Sequence, residues 1–461
     1  MPIRAYVMLA VIAGVSVYAW RDWFRALCGM FLLVPLYKNP DVPMTLGGLN
    51  GLCPWNLMIL SIVLGWALSR RHEGPVWDPP RGVVTMLGAY VLIIVWSFAR
   101  VAANTGSFPA GREPSPLALT SECLINPLRC MLPGLLLYDG CRTRGRVLTA
   151  IACILLGCWG FAPLVLGYTP LPSLVGQGDF LRDRVMLGTE TGMNANNMAQ
   201  LLGASFWGII ATLGIWKQRG LRLAAVAAAV SAFLGMVLCY SRAGYITTLV
   251  IGFALAVLRW RHLLWVLPVM VVVVVLAMPS VSKRLEMGFG EVDVAGEPTE
   301  DWGLVTSGRA TNIWPVVIAA IERSPLIGYG RLAIKRRPIH DAIVEKEPGG
   351  IGHAHNAYMD MLLDAGAIGL ATALAIFGWM AVTAAQFFRD RRDPLVSFVG
   401  AVGLALVAIP LIGGGSGQSM FPDEQSVPLW GFAGVLVRLS VALKHQTVAL
   451  RDRSLLPAAT A

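Results

Sequence analysis

The sequence predicts an all-α polytopic membrane protein, with about 12 transmembrane helices and a long external loop that carries short helices of its own. Three observations carry that prediction. Of the 461 residues, 56% are hydrophobic and 14% are charged, against roughly 45–50% and about 25% in soluble domains. Apolar runs recur along the chain at lengths near the roughly 20 residues that cross a hydrocarbon core. Lysine and arginine gather in alternate connections, as they do in short cytoplasmic loops.

The apolar segments lie at about 5–19, 23–37, 53–69, 83–102, 119–138, 145–168, 196–216, 221–240, 243–259, 262–279, 366–388, 394–414 and 426–443, which makes 12 or 13 spans. The first two are short, and Trp20-Arg21-Asp22-Trp23 between them is interfacial in character, so they read as a shallow hairpin or a tilted pair. Arg4 precedes an apolar run that leads almost at once into another, which suits a first membrane segment better than a removed signal. The chain divides into an N-terminal bundle over 1–279, a loop with short amphipathic helices over 280–365, C-terminal membrane helices over 366–443 and a tail over 444–461.

Basic residues set the orientation. Arg70, Arg71 and Arg81 mark one connection, Arg142, Arg144 and Arg146 the next on that side, then Lys217, Arg219 and Arg222. Arg259 and Arg261 follow, then Arg389, Arg391 and Arg392, and finally Arg438, Lys444, Arg451 and Arg453 in the tail. With alternating segments all of these fall on one face, which is therefore cytoplasmic and holds the C-terminus. The opposite face carries 103–118, 169–195 and 415–425, and the much longer stretch from Pro279 to about Ala365. A loop of that length with its own helical pattern is expected to be functional. Within it Ser307-Gly308-Arg309 precedes Ile313, Val316, Val317, Ala320 and Ile321 at helical spacing, and the pattern ends at Ser324-Pro325 and Gly328-Tyr329-Gly330.

The net charge of +10, from 37 Lys and Arg against 27 Asp and Glu, suits loops facing an anionic leaflet or anionic substrates. Eight cysteines at 28, 53, 123, 130, 141, 153, 158 and 239 form no Cys-x-x-Cys pair and read as buried small hydrophobes. There is no Gly-rich phosphate loop ending in Lys-Ser/Thr, no Asp-x-Asp pair and no serine nucleophile elbow. That argues against a nucleotide-driven pump and against a transferase that uses metal-bound nucleotide sugars.

The residues with chemical potential are few. In His353-Ala354-His355-Asn356-Ala357-Tyr358 two imidazoles precede a short amphipathic helix, with Asn356, Asp360 and Asp364 on one side, Tyr358, Met361, Leu362 and Ala365 on the other, and Gly366 as its expected C-cap. A helix N-terminus disfavours imidazolium, so His355 suits a general base; a capping or solvent-facing histidine fits the same residues. Arg242, in Tyr240-Ser241-Arg242-Ala243-Gly244-Tyr245, falls on the external face, where the charge bias of membrane loops does not call for it. Arg309 opens the loop helix, and Arg184 precedes Asn194-Ala195-Asn196-Asn197. Guanidinium groups grip phosphate oxygens in pairs, so arginines converging from separate loops suit a diphosphate. Arg182, Lys335, Arg336 and Arg337 read as a solvated loop face.

His353 and His355 with His340, Asp360 and Asp364 do not have the spacing of a recognised zinc motif, and no metal is expected. Arg129, inside the span 119–138, has Glu122 as its expected partner. Gly413, Gly414, Gly415 and Gly417 mark a flexible external connection.

Taken together these motifs resemble the O-antigen ligase and polymerase superfamily of bacterial envelope enzymes. The resemblance rests on His355-Asn356, nine residues, Gly366, two residues and Gly369, joined by Ser241-Arg242, by Arg309 with Trp314, by Pro325-Leu326-Ile327-Gly328-Tyr329-Gly330, and by the long loop before the last spans. It covers about 195–388. It implies a glycosyltransferase-C-like helical bundle in the inner membrane with a periplasmic active site. Such enzymes need no cofactor and move a glycan from undecaprenyl diphosphate to the lipid A-core. By resemblance His355 is the base and Arg242, Arg309 and Arg184 hold the diphosphate, with Asn356, Tyr358 and His353 as further substrate-binding residues. Expected partners are the undecaprenyl-diphosphate-linked glycan, the lipid A-core and membrane lipids, with no nucleic acid. A polymerase or a protein-directed O-oligosaccharyltransferase of the same superfamily shares the donor chemistry, and a transporter of lipid-linked glycans would use the arginines without needing the base.

Overall fold

In the computed structural model the described residues are 3–43, 45–46, 53–74, 77–174, 179–286, 291–292, 298–299, 309–347, 352–417 and 419–455. They fold almost entirely as helix. The first ten helices are α1 (Ile3–Tyr18), α2 (Trp23–Leu32), α3 (Pro54–Glu73), α4 (Arg81–Ala102), α5 (Pro116–Thr120), α6 (Asn126–Gly140), α7 (Arg144–Trp159), α8 (Phe161–Tyr168), α9 (Leu171–Leu174) and α10 (Phe180–Thr191). Then come α11 (Ala195–Thr212), α12 (Arg219–Leu238), α13 (Arg242–Leu258), α14 (Leu263–Ala277) and α15 (Pro279–Glu286). The loop contributes α16 (Trp314–Arg323) and α17 (Ile339–Val344), followed by α18 (Ala357–Arg389), α19 (Pro394–Leu411) and α20 (Val427–Leu455). The one β-ladder among the described residues pairs Glu291–Val292 with Pro298–Thr299 in antiparallel fashion.

The protein is a multi-pass membrane protein. Among the described residues six helical stretches, with α7 and α8 counted as one, are long and apolar enough to cross a bilayer, or seven if α14 and α15, bent by 103° at Met278, count as one broken span. Every predicted apolar segment is helical, but the expected number of about 12 also enlists shorter helices such as α1, α2 and α13. Polar residues such as Asn56 in α3 and Asn196 in α11 lower the hydropathy of two further helices of sufficient length.

Caps start many of these helices cleanly. Asp22, Thr143, Asn194, Ser241, Asn356 and Asp393 each accept a hydrogen bond from a first-turn amide, satisfying donors that have no intrahelical partner. Helix α18 packs along α19 and α4, α11 packs on α12, α13 and α19, and α20 packs on α6. Burial of Trp207, Tyr90, Phe388 and Phe432 knits these helices into one core. Arg129 departs from expectation: it pairs with Glu424 at 2.8 Å and with Asn56, not with Glu122, which meets Lys335 at 3.5 Å. Helix α6 runs Arg129 towards the 415–425 connection, and Glu122 sits on a π-helical turn that turns it elsewhere.

The loop has a small core of its own around Ile313, Val317, Ile334, Ile343 and Leu363. The helix expected over 313–321 is present as α16, preceded by a π-helical turn over Arg309–Ile313. Ser307 and Gly308 lie outside the described residues. Arg336 is not solvated as expected: it is 6% exposed and donates to the carbonyls of Tyr329 at 2.6 Å and Gly330 at 3.1 Å.

Gly366 also does more than cap a helix. It breaks α18 with φ 68° and ψ −171°, and helix resumes directly after it. The break frees the carbonyls of Leu363 and Asp364, which accept from Tyr329 N at 2.8 Å and Gly330 N at 2.7 Å. On the far side Ala367 N and Ile368 N donate to the Pro325 and Leu326 carbonyls at 2.8 and 3.2 Å. The two glycine-bearing motifs therefore exist to stitch loop backbone into a helix break. A Cβ at position 366 would strike the Leu326 carbonyl, in a backbone region open in practice only to glycine. Gly366→Ala is expected to destabilise the protein by about 1–3 kcal/mol from backbone strain, before the clash adds more, read as a lower unfolding midpoint in detergent.

Candidate active site

His355 sits at the mouth of this arrangement, immediately before the cap of α18. Its φ of 55° is in the left-handed region, a strained conformation for histidine that tertiary contacts must hold. Those contacts are visible on both sides of Ala354. Its amide donates to Asp360 Oδ1 at 2.8 Å, and its carbonyl accepts from Trp314 Nε1 at 3.1 Å. The acid predicted for a polar outer face thus turns back to fix the histidine segment. Asp364 likewise points inward, 6% exposed, paired with Arg331 at 3.0 Å and accepting from Ala333 N at 3.1 Å.

The two imidazoles lie 4.1 Å apart between ring centroids, and His355 N donates to His353 Nδ1 at 3.2 Å. Asn356 caps α18 through Tyr358 N at 3.0 Å and Met359 N at 3.3 Å, and the Tyr358 hydroxyl donates to the Leu411 carbonyl at the end of α19. The glycine turn read as a mere connection packs here. Gly414 lies beside Tyr358, and Gly417, at φ 117°, faces His353 and His355 with no side chain between. His340 belongs elsewhere, against Arg112 at 3.3 Å and Asp341 at 3.4 Å. Among the described residues no three His, Cys, Asp or Glu side chains come together.

A second group gathers arginines about Arg284. Arg184 reaches from α10 to the carbonyls of Cys239 at 2.9 Å and Tyr240 at 2.6 Å, and to Asn196 Oδ1 at 3.0 Å. Asn196 also accepts from the Ser241 hydroxyl at 2.8 Å, which in turn caps α13 at Gly244 N. Arg242 Nε donates to the Arg284 carbonyl at 2.9 Å. Arg284 is delivered by the bend between α14 and α15, and the charges of Arg184, Arg242 and Arg309 all act on it. Burial, together with the charge of Arg184, holds Arg309 below the ordinary arginine range; burial alone does so for Arg184.

Four partly buried arginines from four segments are thus linked through Arg284, and the charge of one of them, Arg309, reaches the histidines. His353 is lowered by burial first, then by Arg309 and Lys335. His355 is pulled down to about 3 by burial, His353 and Arg309. At neutral pH both rings are neutral, and like charges held together in a partly buried region favour an incoming anion.

Residues 227–374 match the O-antigen ligase family. That segment contains Arg242, Arg284, Arg309, His353, His355, Asn356, Tyr358, Gly366 and Gly369, while Arg184 joins the site from outside it. The match supports an O-antigen ligase-like superfamily member. A search of curated proteins finds no match. Sequence reading missed Arg284, Asn196 and Gly417. Arg284 had a signal available, a cation beside Pro279 at the foot of the loop. The other two are recognisable only from what they touch.

Proposed function

We propose that the protein is a metal-independent O-antigen ligase. It moves glycan from undecaprenyl diphosphate to the lipid A-core on the periplasmic side of the bacterial inner membrane, and its C-terminus is cytoplasmic. The observation that carries this reading is a neutral His355 under the charge of Arg309, an arginine that acts on Arg284 together with Arg184 and Arg242. The acceptor hydroxyl attacks the anomeric carbon, its proton passes to His355, and the bond from that carbon to the diphosphate oxygen breaks with the electron pair leaving on the diphosphate. The arginines stabilise the charge that develops there, the part a divalent cation plays in other transferases. His353, Asn356 and Tyr358 surround the base and shape the approach of the acceptor.

A base at about 3 in the free site accepts a proton poorly, and the donor remedies this. Diphosphate offsets the arginine field, so imidazolium becomes easier to form as the substrate binds. The sign follows. A lowered pKa keeps the base form down to lower pH, so the acid limb of kcat/KM, which reports the free enzyme, falls well below 6.5. The acid limb of kcat, which reports the complex, lies at higher pH. A pH–rate profile checks both.

The deciding experiment is transfer by purified protein from undecaprenyl-diphosphate-linked glycan to lipid A-core, with and without chelator. Product in both conditions supports the reading. Extension of the donor glycan alone would point to a polymerase, transfer to a protein to an oligosaccharyltransferase, and translocation without bond formation to a transporter.

A further inference from the structure

The turn that carries His355 is tied to helix α18 on both sides. After it, Asn356 caps the helix through Tyr358 N and Met359 N. Before it, Ala354 N donates to Asp360 Oδ1 at 2.8 Å. Only His355 lies between the two ties, and its φ of 55° is what lets the backbone leave the cap and reach back to a side chain in the same helix.

Capping by itself does not call for that geometry. A positive φ is uncommon in a residue other than glycine and persists only where the surroundings over-determine it. Three side-chain bonds do so here. His353 Nδ1 accepts from His355 N at 3.2 Å, Trp314 Nε1 donates to Ala354 O at 3.1 Å, and Asp360 accepts from Ala354 N. His353 belongs to the turn it bonds and Trp314 to the loop, so of the three only Asp360 fastens the turn to α18.

The two acids of this helix have different partners. Asp364 pairs with Arg331 at 3.0 Å and accepts from Ala333 N, so it anchors the loop. Asp360 is partly buried, makes no ion pair among the described residues, and its carboxylate has Ala354 N as its one hydrogen bond there. Drawing a carboxylate partly out of water costs solvation, which a charge-assisted bond to an amide offsets. The segment fixed in return is the one that carries the histidine.

We infer that Asp360 is a positioning residue for the base: its bond to Ala354 N holds the His355 backbone in the left-handed conformation and so places the imidazole to take the acceptor proton. It acts through His355, and the inference rests on the proposed transfer reading for what His355 does.

The test is a set of full-length variants in detergent: Asp360→Leu, Asp360→Asn, His355→Asn and the pair Asp360→Leu with His355→Asn, each with its unfolding midpoint. Leucine removes the acceptor, whereas asparagine keeps a carbonyl oxygen for Ala354 N without the charge. Asp360→Leu is expected to lower kcat for transfer by about 10²-fold, the scale of a group misplaced by about 1 Å, with donor KM unchanged. Asp360→Asn should recover most of that loss. Asp360→Ala, which adds no bulk, repeats the leucine arm should leucine lower the midpoint. Combined with His355→Asn, Asp360→Leu should cost little more, because residues that act as a unit are not additive. A second loss of about 10²-fold in the pair, or an asparagine variant as slow as leucine, would overturn the inference.

A readout that needs no transfer separates this role from the ligase reading. Diethyl pyrocarbonate acylates neutral imidazole, and its rate at His355 is resolved by mass spectrometry of fragment ions. Burial, His353 and Arg309 bring this ring down to about 3, so the wild-type rate should be nearly flat between about pH 7 and 5, where an ordinary histidine protonates. In Asp360→Leu the freed turn takes up water, the main cause of the lowered pKa is lost, and the rate should fall across that range. In Asp360→Asn it should stay flat. A flat profile in Asp360→Leu would sink the positioning role whether or not the protein transfers glycan. A falling profile there, together with near wild-type transfer by His355→Asn, would sink the base reading and leave Asp360 as the residue that sets the turn.

Discussion

His355→Asn is expected to lower the rate of glycan transfer by about 10²–10⁴-fold, the usual contribution of a positioned general base, with no loss of thermal stability. Asparagine is the informative replacement because His355 sits at φ 55°. Among non-glycine residues asparagine visits that region readily, whereas alanine would add backbone strain to the loss of the base. The hydrogen bonds that hold the segment, at Ala354 N and Ala354 O, belong to its neighbour and survive the change. Donor binding should survive too, since the arginines are untouched. An asparagine variant that is folded, binds the undecaprenyl-diphosphate donor and still transfers glycan at near wild-type rate would show that His355 is not the base.

Arg309→Ala should cost about 10²–10³-fold in kcat, the scale of removing one preorganised group that stabilises developing charge. It should also leave a second mark that a merely structural residue would not. Arg309 is among the causes that lower both His353 and His355. Without its positive charge imidazolium is less disfavoured, the pKa of His355 rises, and the acid limb of kcat/KM moves to higher pH. Arg309→Lys separates the two effects. A lysine keeps the charge, so the limb should stay near its wild-type position, but it cannot bind two phosphate oxygens in fork geometry and the rate should remain depressed. A pH profile unchanged in Arg309→Ala would mean that the arginine does not act on the histidines.

Much of this protein is legible in one dimension because the rules involved are local. Segments such as 83–102 and 394–414 read as membrane helices from composition alone, since hydrocarbon admits a backbone only when its polar groups are bonded internally. His355, Arg242 and Arg309 stand out because polar groups are costly among apolar runs. Misreadings occur where a side chain chooses between partners far apart in sequence. Arg129 reaches across 295 residues to Glu424 in place of nearby Glu122. Arg336 looks like one of three loop cations, yet it is buried because Tyr329 and Gly330 offer it carbonyls at the place where the loop meets the broken helix.

By itself, then, the sequence determined a helical membrane protein and singled out candidate site residues, because hydropathy and the rarity of charge are properties of short stretches. Only the tertiary structure decided that Arg284 joins Arg184, Arg242 and Arg309, that Gly366 is a helix break stitched to Pro325–Gly330, and that a glycine turn walls the histidines. These are juxtapositions of separate segments, and His355 is kept neutral first by burial and then by His353 and Arg309, so the fold and not chain order sets it.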